Sequence, residues 1–340
     1  MRASIIFLAL LVVGLLCVCN AFALEPTLAT SRRVAMQSSF FVPSQWNLRA
    51  RAPLDAHLTV YVAVKRTADS LESMFELSDA VSTPSSPRYG DYLTLDQLHS
   101  LVKVDPGQLA TVQEWLCTAA PSHQVLKSTP AQDLFSVRVS VGEATALFGC
   151  AFGVYQHQET TQSLIRPTSL FTVPAEVADC LDFVGGLTRF PRFSRHSPPV
   201  AATERVVSAA EVPHTTPATI KEAYGIDDVG SNSTGNLQSV VSFLEQYVNL
   251  TDLQVFQSTF ELPLDPVAKI LGPNDPLNPG IEASLDIQYL MGVATGVPTW
   301  IWSTAGNHDG DNEPFLKWLL DVELTRHIPY VFLISYQDRE

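Results

Sequence analysis

Hydrophobic positions change their period several times along the chain, and each change marks an element. Leu58 to Val64 gathers β-branched and aromatic residues and predicts a strand. Leu71 to Ala80 returns apolar residues at helical spacing and predicts a short helix, closed by a Ser/Pro-rich loop over Thr83 to Pro87. Asp133 to Val139 and Phe152 to His157 read as further strands, with Gly142 to Phe148 as a helix between them. Strands and helices alternating in this way predict a small α+β sandwich over residues 24–189.

After Phe190 the periodicity dissolves. Pro191, Pro198, Pro199 and Pro213 fall among Ser, Ala and Thr, with Arg189, Arg192 and Arg195 at the start, so 190–216 reads as an exposed linker that a protease could cut. Pattern resumes near Thr216: Pro217 to Tyr224 and Asp252 to Phe260 predict helices, and Gln238 to Phe243 predicts a strand. Thr299 to Ser303 and Tyr330 to Ser335 predict strands, and between them lies a helix with Pro314 in its first turn. Apolar strands without polar alternation, separated by helices, indicate a parallel sheet covered on both faces, hence an α/β unit over 217–340. A parallel sheet ending just after such a strand lacks neighbours, so the expectation is an incomplete second unit.

Length and composition agree with two folded units, since 340 residues with 46% apolar content can bury two cores. At the amino terminus, Arg2, the apolar run Ile5 to Cys19 and the Ala21-Phe22-Ala23 cleavage pattern predict a signal peptide over 1–23. The run is too short for a retained anchor, so no membrane association is expected after its removal. Cys117, Cys150 and Cys180 would remain, and in an oxidising compartment one disulfide with one leftover thiol is the simplest outcome. Asn232 and Asn249 head glycosylation tripeptides, in keeping with the secretory pathway, whether ending in an acidic organelle such as the lysosome or outside the cell. The net charge of −14 is uneven: from Val207 onward there are 18 acidic and 5 basic residues. That excess argues for a domain boundary near 200 and against nucleic acid as partner.

One helix carries candidate chemistry. In the segment Ile281 to Met291 the apolar residues Ile281, Ala283, Leu285, Ile287, Leu290 and Met291 spread around the circumference, which predicts burial on several sides. Glu282 and Asp286, four residues apart, stand on one face. Two carboxyls so placed repel, and burial makes double ionisation costlier, so one should keep a proton. That is the physics of a general base for the acid range, although a solvated acidic pair at a helix start has the same spacing. His99, His214, His308 and His327 show no metal-ligand spacing, and His308 to Asn312 reads as a solvated acidic turn. Trp115 and Trp318 read as core anchors.

Several ordered blocks carry a resemblance. Gly280 to Met291, Glu245-Gln246-Tyr247, Thr299-Trp300, the stretch from Glu313 to Leu320, and Ser335-Tyr336 are similar to the sedolisin family of serine-carboxyl peptidases. Pro87 to Thr94, Val112 to Leu116 and Asp182 to Leu187 resemble the pro-kumamolisin-type activation domain of that family. The resemblance implies a ferredoxin-like activation domain over 24–189, a linker with the maturation site over 190–216 and part of a subtilisin-like domain over 217–340. It implies Glu282 as general base, Asp286 as the group that orients it, peptide or protein substrates, and the activation domain as a partner in cis. The favoured family reaction is removal of tripeptides from free amino termini, with some members endopeptidases, in the acid range. The family's Gly-Thr-Ser nucleophile stretch, its oxyanion aspartate and its calcium site have no counterpart here, so no cofactor is expected within 1–340 and calcium belongs to a carboxy-terminal part. The chain alone is expected to be inactive, and the alternative is an activation-domain protein that inhibits or chaperones a full-length peptidase.

Overall fold

The computed structural model describes residues 32–102, 104–160, 162–191, 215–226, 235, 237–306 and 314–336. The signal segment, Asn232, Arg192, Arg195, His214 and the turn from His308 lie outside them. The first unit contains β1 (Arg33–Ala35), β2 (Trp46–Arg51), β3 (His57–Val64), α1 (Ala68–Ser82), α2 (Leu95–Leu101), α3 (Pro106–Ala119), β4 (Gln124–Ser128) and β5 (Leu134–Ser140). It continues with α4 (Val141–Phe148), β6 (Phe152–His157), β7 (Ser163–Pro167), β8 (Thr172–Pro174), α5 (Ala175–Ala178) and β9 (Leu181–Gly185). The second contains α6 (Pro217–Tyr224), β10 (Gln238–Ser242), α7 (Leu250–Thr259), β11 (Lys269–Leu271), α8 (Ile281–Val293), β12 (Thr299–Ser303), α9 (Phe315–Glu323) and β13 (Val331–Leu333).

In the first unit, β4, β5, β3 and β9 form an antiparallel sheet in that order. Strand alternation turns Val60 and Val62 of β3, and Val137 and Val139 of β5, into a core shared with Trp115 of α3 and Phe148 of α4. The ring of Phe148 meets Trp115 and Phe171 edge-to-face at centroid distances of 5.9 and 5.6 Å. Helix starts are set locally: Thr67, Thr94, Asp105 and Ser140 each accept a backbone N–H of the helix they open. A second antiparallel sheet, β2-β6-β7, encloses Trp46, Tyr155 and Phe190, while β1 pairs with β8.

The second unit is built on β11-β12-β10-β13, with every neighbouring pair parallel. Residues of β10 and β12 are buried throughout, because helices cover both faces: α8 closes a cluster with Val240 and Ile301, and α9 closes another with Val241 and Trp302. Trp318 sits in the latter cluster and Trp115 in the first unit's core, both as anchors. The predicted strand over 330–335 is shorter, Val331 to Leu333, because β13 is an edge with Tyr330 and Val331 facing outward.

Two expectations are corrected. No disulfide joins Cys117, Cys150 and Cys180 among the described residues. The Cys180 thiol donates instead to the Glu176 carbonyl, and burial pushes the Cys150 thiol up to about 11, in the opposite direction to reactivity. Helix α8 buries fewer of its apolar residues than expected: Ala283, Ile287 and Met291 are buried, but Ile281 is 72% and Leu285 49% exposed. Its apolar residues exceed the one face that packs against α7, α6 and β10.

The units meet along α9. His99 Nε2 lies 2.7 Å from Glu323 Oε2, Lys127 pairs with Asp321, and Tyr92 stacks on Tyr330. The face of the first unit's main sheet opposite its core, bearing Thr59, Tyr61, Ser136 and Arg138, turns toward this seam. Among the described residues no helix is long and apolar enough to cross a membrane.

Candidate active site

Strand β10 delivers the chain to a turn in which Leu244 and Glu245 both adopt left-handed backbone, with φ of 56° and 58°. Consecutive non-glycine residues in this region cost about 1–2 kcal/mol each and mark a turn imposed by its surroundings. The chain then runs beside the start of α8: Tyr247 bridges Pro279 and the Gly280 N–H donates to the Tyr247 carbonyl at 2.8 Å. The Gln246 side chain occupies the space of a Cβ at position 280, with its Oε1 1.9 Å from where that atom would lie. Glycine at 280 therefore permits this close approach, which fixes the first turn of α8 against the outflow of β10.

That first turn has no side-chain cap. Its amides and dipole face whatever stands before the helix, and Glu282 lies in it, half-buried. One turn on, Asp286 is 6% exposed, between Ala283 and Ile287 of the cluster that includes Val240 and Ile301. Burial, and then the charge of Glu282, push the Asp286 carboxyl up to about 6 from 3.8. Asp286 thus keeps its proton to higher pH than an exposed carboxyl would.

Around the strand ends gather buried polar atoms that lack partners among the described residues: Ser242 Oγ at the end of β10, Thr304 Oγ1 just past β12, and Gln246 Oε1. Tyr336 closes the other side, its hydroxyl accepting from the Phe243 N–H at 3.1 Å. In parallel α/β sheets, sites form in the crevice beyond the carboxyl ends of strands, and this polar cluster occupies that place. Sequence reasoning reached Glu282 and Asp286 through spacing and named Gln246 and Tyr336 only within matching blocks. Ser242 and Thr304 carry no signal beyond standing polar at the ends of apolar strands.

Asn249, the described one of the two glycosylation candidates, caps α7: its Oδ1 accepts from the Thr251 N–H and its Nδ2 donates to the Pro276 carbonyl. The cap uses the same amide that a glycan would modify.

The first unit is an α+β domain with its own core, and the second is a parallel sheet covered by a helix that carries the carboxyl pair. The sequence profile described as "Pro-kumamolisin, activation domain" matches residues 44–190. Tripeptidyl-peptidase 1 of Mus musculus and of Homo sapiens are each 36% identical over 307 residues, covering 88% of this chain and 53% of the relative. The Bos taurus protein of that name is 36% identical over 312 residues, with the same coverage. The chain is similar to tripeptidyl-peptidase 1, and residues 44–190 match the pro-kumamolisin activation domain. It spans about half the length of these relatives.

Proposed function

We propose that this chain is the amino-terminal portion of an acid-range serine peptidase zymogen of the Ser-Glu-Asp type that releases tripeptides from peptide amino termini. In this reading residues 24–189 form a ferredoxin-like activation domain, 190–216 a linker that is cut, and 217–340 part of a subtilisin-like domain. The antiparallel order β4-β5-β3-β9 with α3 and α4 on one face supports the first assignment. Delivery through the secretory pathway to an acidic compartment fits the amino-terminal pattern and the acid-range pair.

The observation that carries the reading is the carboxyl pair on α8. Asp286, buried and titrating near 6, stands one helical turn from Glu282 and in this reading orients it and buffers its charge. Glu282, at an uncapped helix start beyond the strand ends, takes the proton of an attacking serine hydroxyl. A carboxylate base works at lower pH than a histidine, which confines activity to acid. Because 1–340 contains no Gly-Thr-Ser stretch, the chain alone lacks the nucleophile and is inactive in this proposal.

The test joins this chain to the carboxy-terminal half of a tripeptidyl-peptidase 1 relative and follows tripeptide release from a free-amino-terminal peptide between pH 3.5 and 7. Acid-range turnover by the joined protein, absent from the chain alone and lowered at least about 10³-fold by Glu282→Gln, is the expected result. Wild-type rates in Glu282→Gln would remove Glu282 as the base.

A further inference from the structure

The glycosylation tripeptide headed by Asn249 is presented by a clamped piece of backbone. Residues 247–249 run extended beside the loop that leads into α8, and the Tyr247 carbonyl accepts from the Gly280 N–H at 2.8 Å. Asn274 holds both backbone groups of Val248: its Oδ1 accepts from the N–H at 2.9 Å and its Nδ2 donates to the carbonyl at 3.0 Å. Asn249 adds a third tie by donating through Nδ2 to the Pro276 carbonyl at 3.2 Å. Val248 is 1% exposed, so alternation along the extended segment turns Tyr247 and Asn249 outward together, about 7 Å apart along the strand direction.

This arrangement suits a sugar. The Asn249 amide nitrogen has two hydrogens, one of which serves the Pro276 carbonyl, so a glycosyl group can replace the other while both hydrogen bonds of the side chain persist. Oδ1 goes on accepting from the Thr251 N–H at 2.8 Å, and Thr251, whose hydroxyl completes the acceptor tripeptide, is exposed. A substituent on Nδ2 emerges next to Pro276 and Leu277. Leu277 is 88% exposed, and the half-buried Tyr247 flanks Asn249 on the outward side. A helix cap accounts for the Oδ1 bond. It does not account for an apolar side chain left in water beside the amide, which the flat face of a pyranose would cover.

We propose that Asn249 carries an N-linked glycan whose innermost sugar rests on Tyr247 and Leu277 and secures the loop 274–280 in front of α8. The inference rests on export through the secretory pathway and not on the peptidase reading. The donor is a lipid-linked oligosaccharide diphosphate. The amide nitrogen bonds to its anomeric carbon, the C–O bond to the diphosphate breaks, the lipid diphosphate leaves with that electron pair, and the amide proton passes to base. In the product the weakly positive C–H bonds of the sugar meet the negative face of the Tyr247 ring, and the sugar hydroxyls stay in water.

The test expresses the whole chain in a eukaryotic secretory cell and maps the peptide containing Asn249 after enzymatic release of glycans in heavy-oxygen water. Labelled aspartate at this position is expected, and Thr251→Ala, which keeps the Asn249 amide, should abolish the label. The sugar's seat is read from hydrogen exchange at the Leu277, Asn278 and Gly280 amides, which bond to Asp275 and Tyr247. The glycosylated chain should exchange there at least about threefold more slowly than Thr251→Ala, and trimming to the innermost sugar should preserve the difference. Leu277→Ser should remove most of the slowing with occupancy unchanged, and unaltered thermal melting of both variants shows that the fold persists. An exported chain with Asn249 unmodified overturns the proposal and leaves export standing, whereas a chain that is neither exported nor modified overturns both. Occupancy with exchange equal to that of Thr251→Ala, or slowing that Leu277→Ser leaves intact, also overturns it by showing that the sugar is not seated on this loop.

Discussion

In the first unit a buried carboxylate has company: Asp133 receives the Arg66 guanidinium and the Thr129 hydroxyl, and the orphaned buried side-chain atom among the described residues there is the Trp115 indole N–H. The second unit leaves Ser242, Gln246, Gln257, Thr304 and Trp318 each with a buried polar atom that lacks a partner among the described residues. An orphan of this kind costs about 1–3 kcal/mol, so the two units were shaped under different demands. Where a domain serves to fold and cover, its polar groups are satisfied. In the second unit, Ser242 and Thr304 stand at the ends of β10 and β12 and Gln246 beside the start of α8, each with an orphaned atom at a cost in stability.

The sharpest way to break that contrast is through the first unit's core. Phe148→Ala removes a ring packed edge-to-face on Trp115 and Phe171 and should cost about 3–5 kcal/mol in urea unfolding. A cost under about 1 kcal/mol would mean that this core relaxes freely and is no better packed than the strand ends opposite. Somewhat smaller is the effect expected at Gly272, just past β11, where φ is +80° and an added Cβ would lie 1.8 Å from the Ser303 carbonyl oxygen. Gly272→Ala should cost about 2–4 kcal/mol, from left-handed strain plus displacement of the β12 end. Thermal melting that matches the parent would show that the strand ends of the second unit are soft.

Much of this architecture was legible where a segment's own pattern agrees with its environment. The strand over 152–157, the helix over 217–224 and the strand over 299–303 have the bounds that periodicity assigns them, because Pro217, the β-branched runs and the polar flanks act locally. Reading failed where tertiary context decides. Strand β4 is an edge with Val125 and Leu126 exposed, and β11 has three residues, so neither shows a period to find. Helix α3 was not read as an element: Asp105 caps it and Pro106 lies in its first turn, but its apolar face is diluted by Thr, Gln and Glu. At the site, i to i+4 spacing placed Glu282 and Asp286 on one face. Which of the two is buried depends on how α8 lies on β10, and no pattern in α8 carries that.

Asp286 allows the contrast to be sharpened by pH. Its carboxyl titrates near 6 in the folded chain and near 3.8 when exposed, so the folded state binds the extra proton between those values. The contribution is fully present below about pH 3.8 and lost as pH rises through about 6, which makes burial of the ionised form a penalty at pH 7. Asp286→Asn should therefore stabilise the chain by on the order of 1–3 kcal/mol at pH 7, gain nothing at pH 3.5, and flatten the slope between. Urea midpoints at both pH values read this directly. A variant whose stability changes with pH in parallel with the parent would show that Asp286 is not the group holding the proton, and the contrast between a satisfied unit and a poised one would lose its clearest member.

The smallest effect belongs to the seam itself. Lys127 with Asp321, and His99 with Glu323, join the two units through side chains that solvent still reaches, so each pair contributes about 0.2–1 kcal/mol. Long side chains fixed at a partly wet boundary give back in entropy most of what attraction provides. In a double-mutant cycle over Lys127→Ala and Asp321→Ala, the coupling should fall in that range and fade by 0.5 M salt, with protection of the α9 amides against hydrogen exchange as the local readout. Coupling above about 2 kcal/mol, or insensitivity to salt, would show a dry, interlocked boundary. The units would then be one cooperative body, and their different handling of buried polarity would have to be explained within a single fold rather than between two.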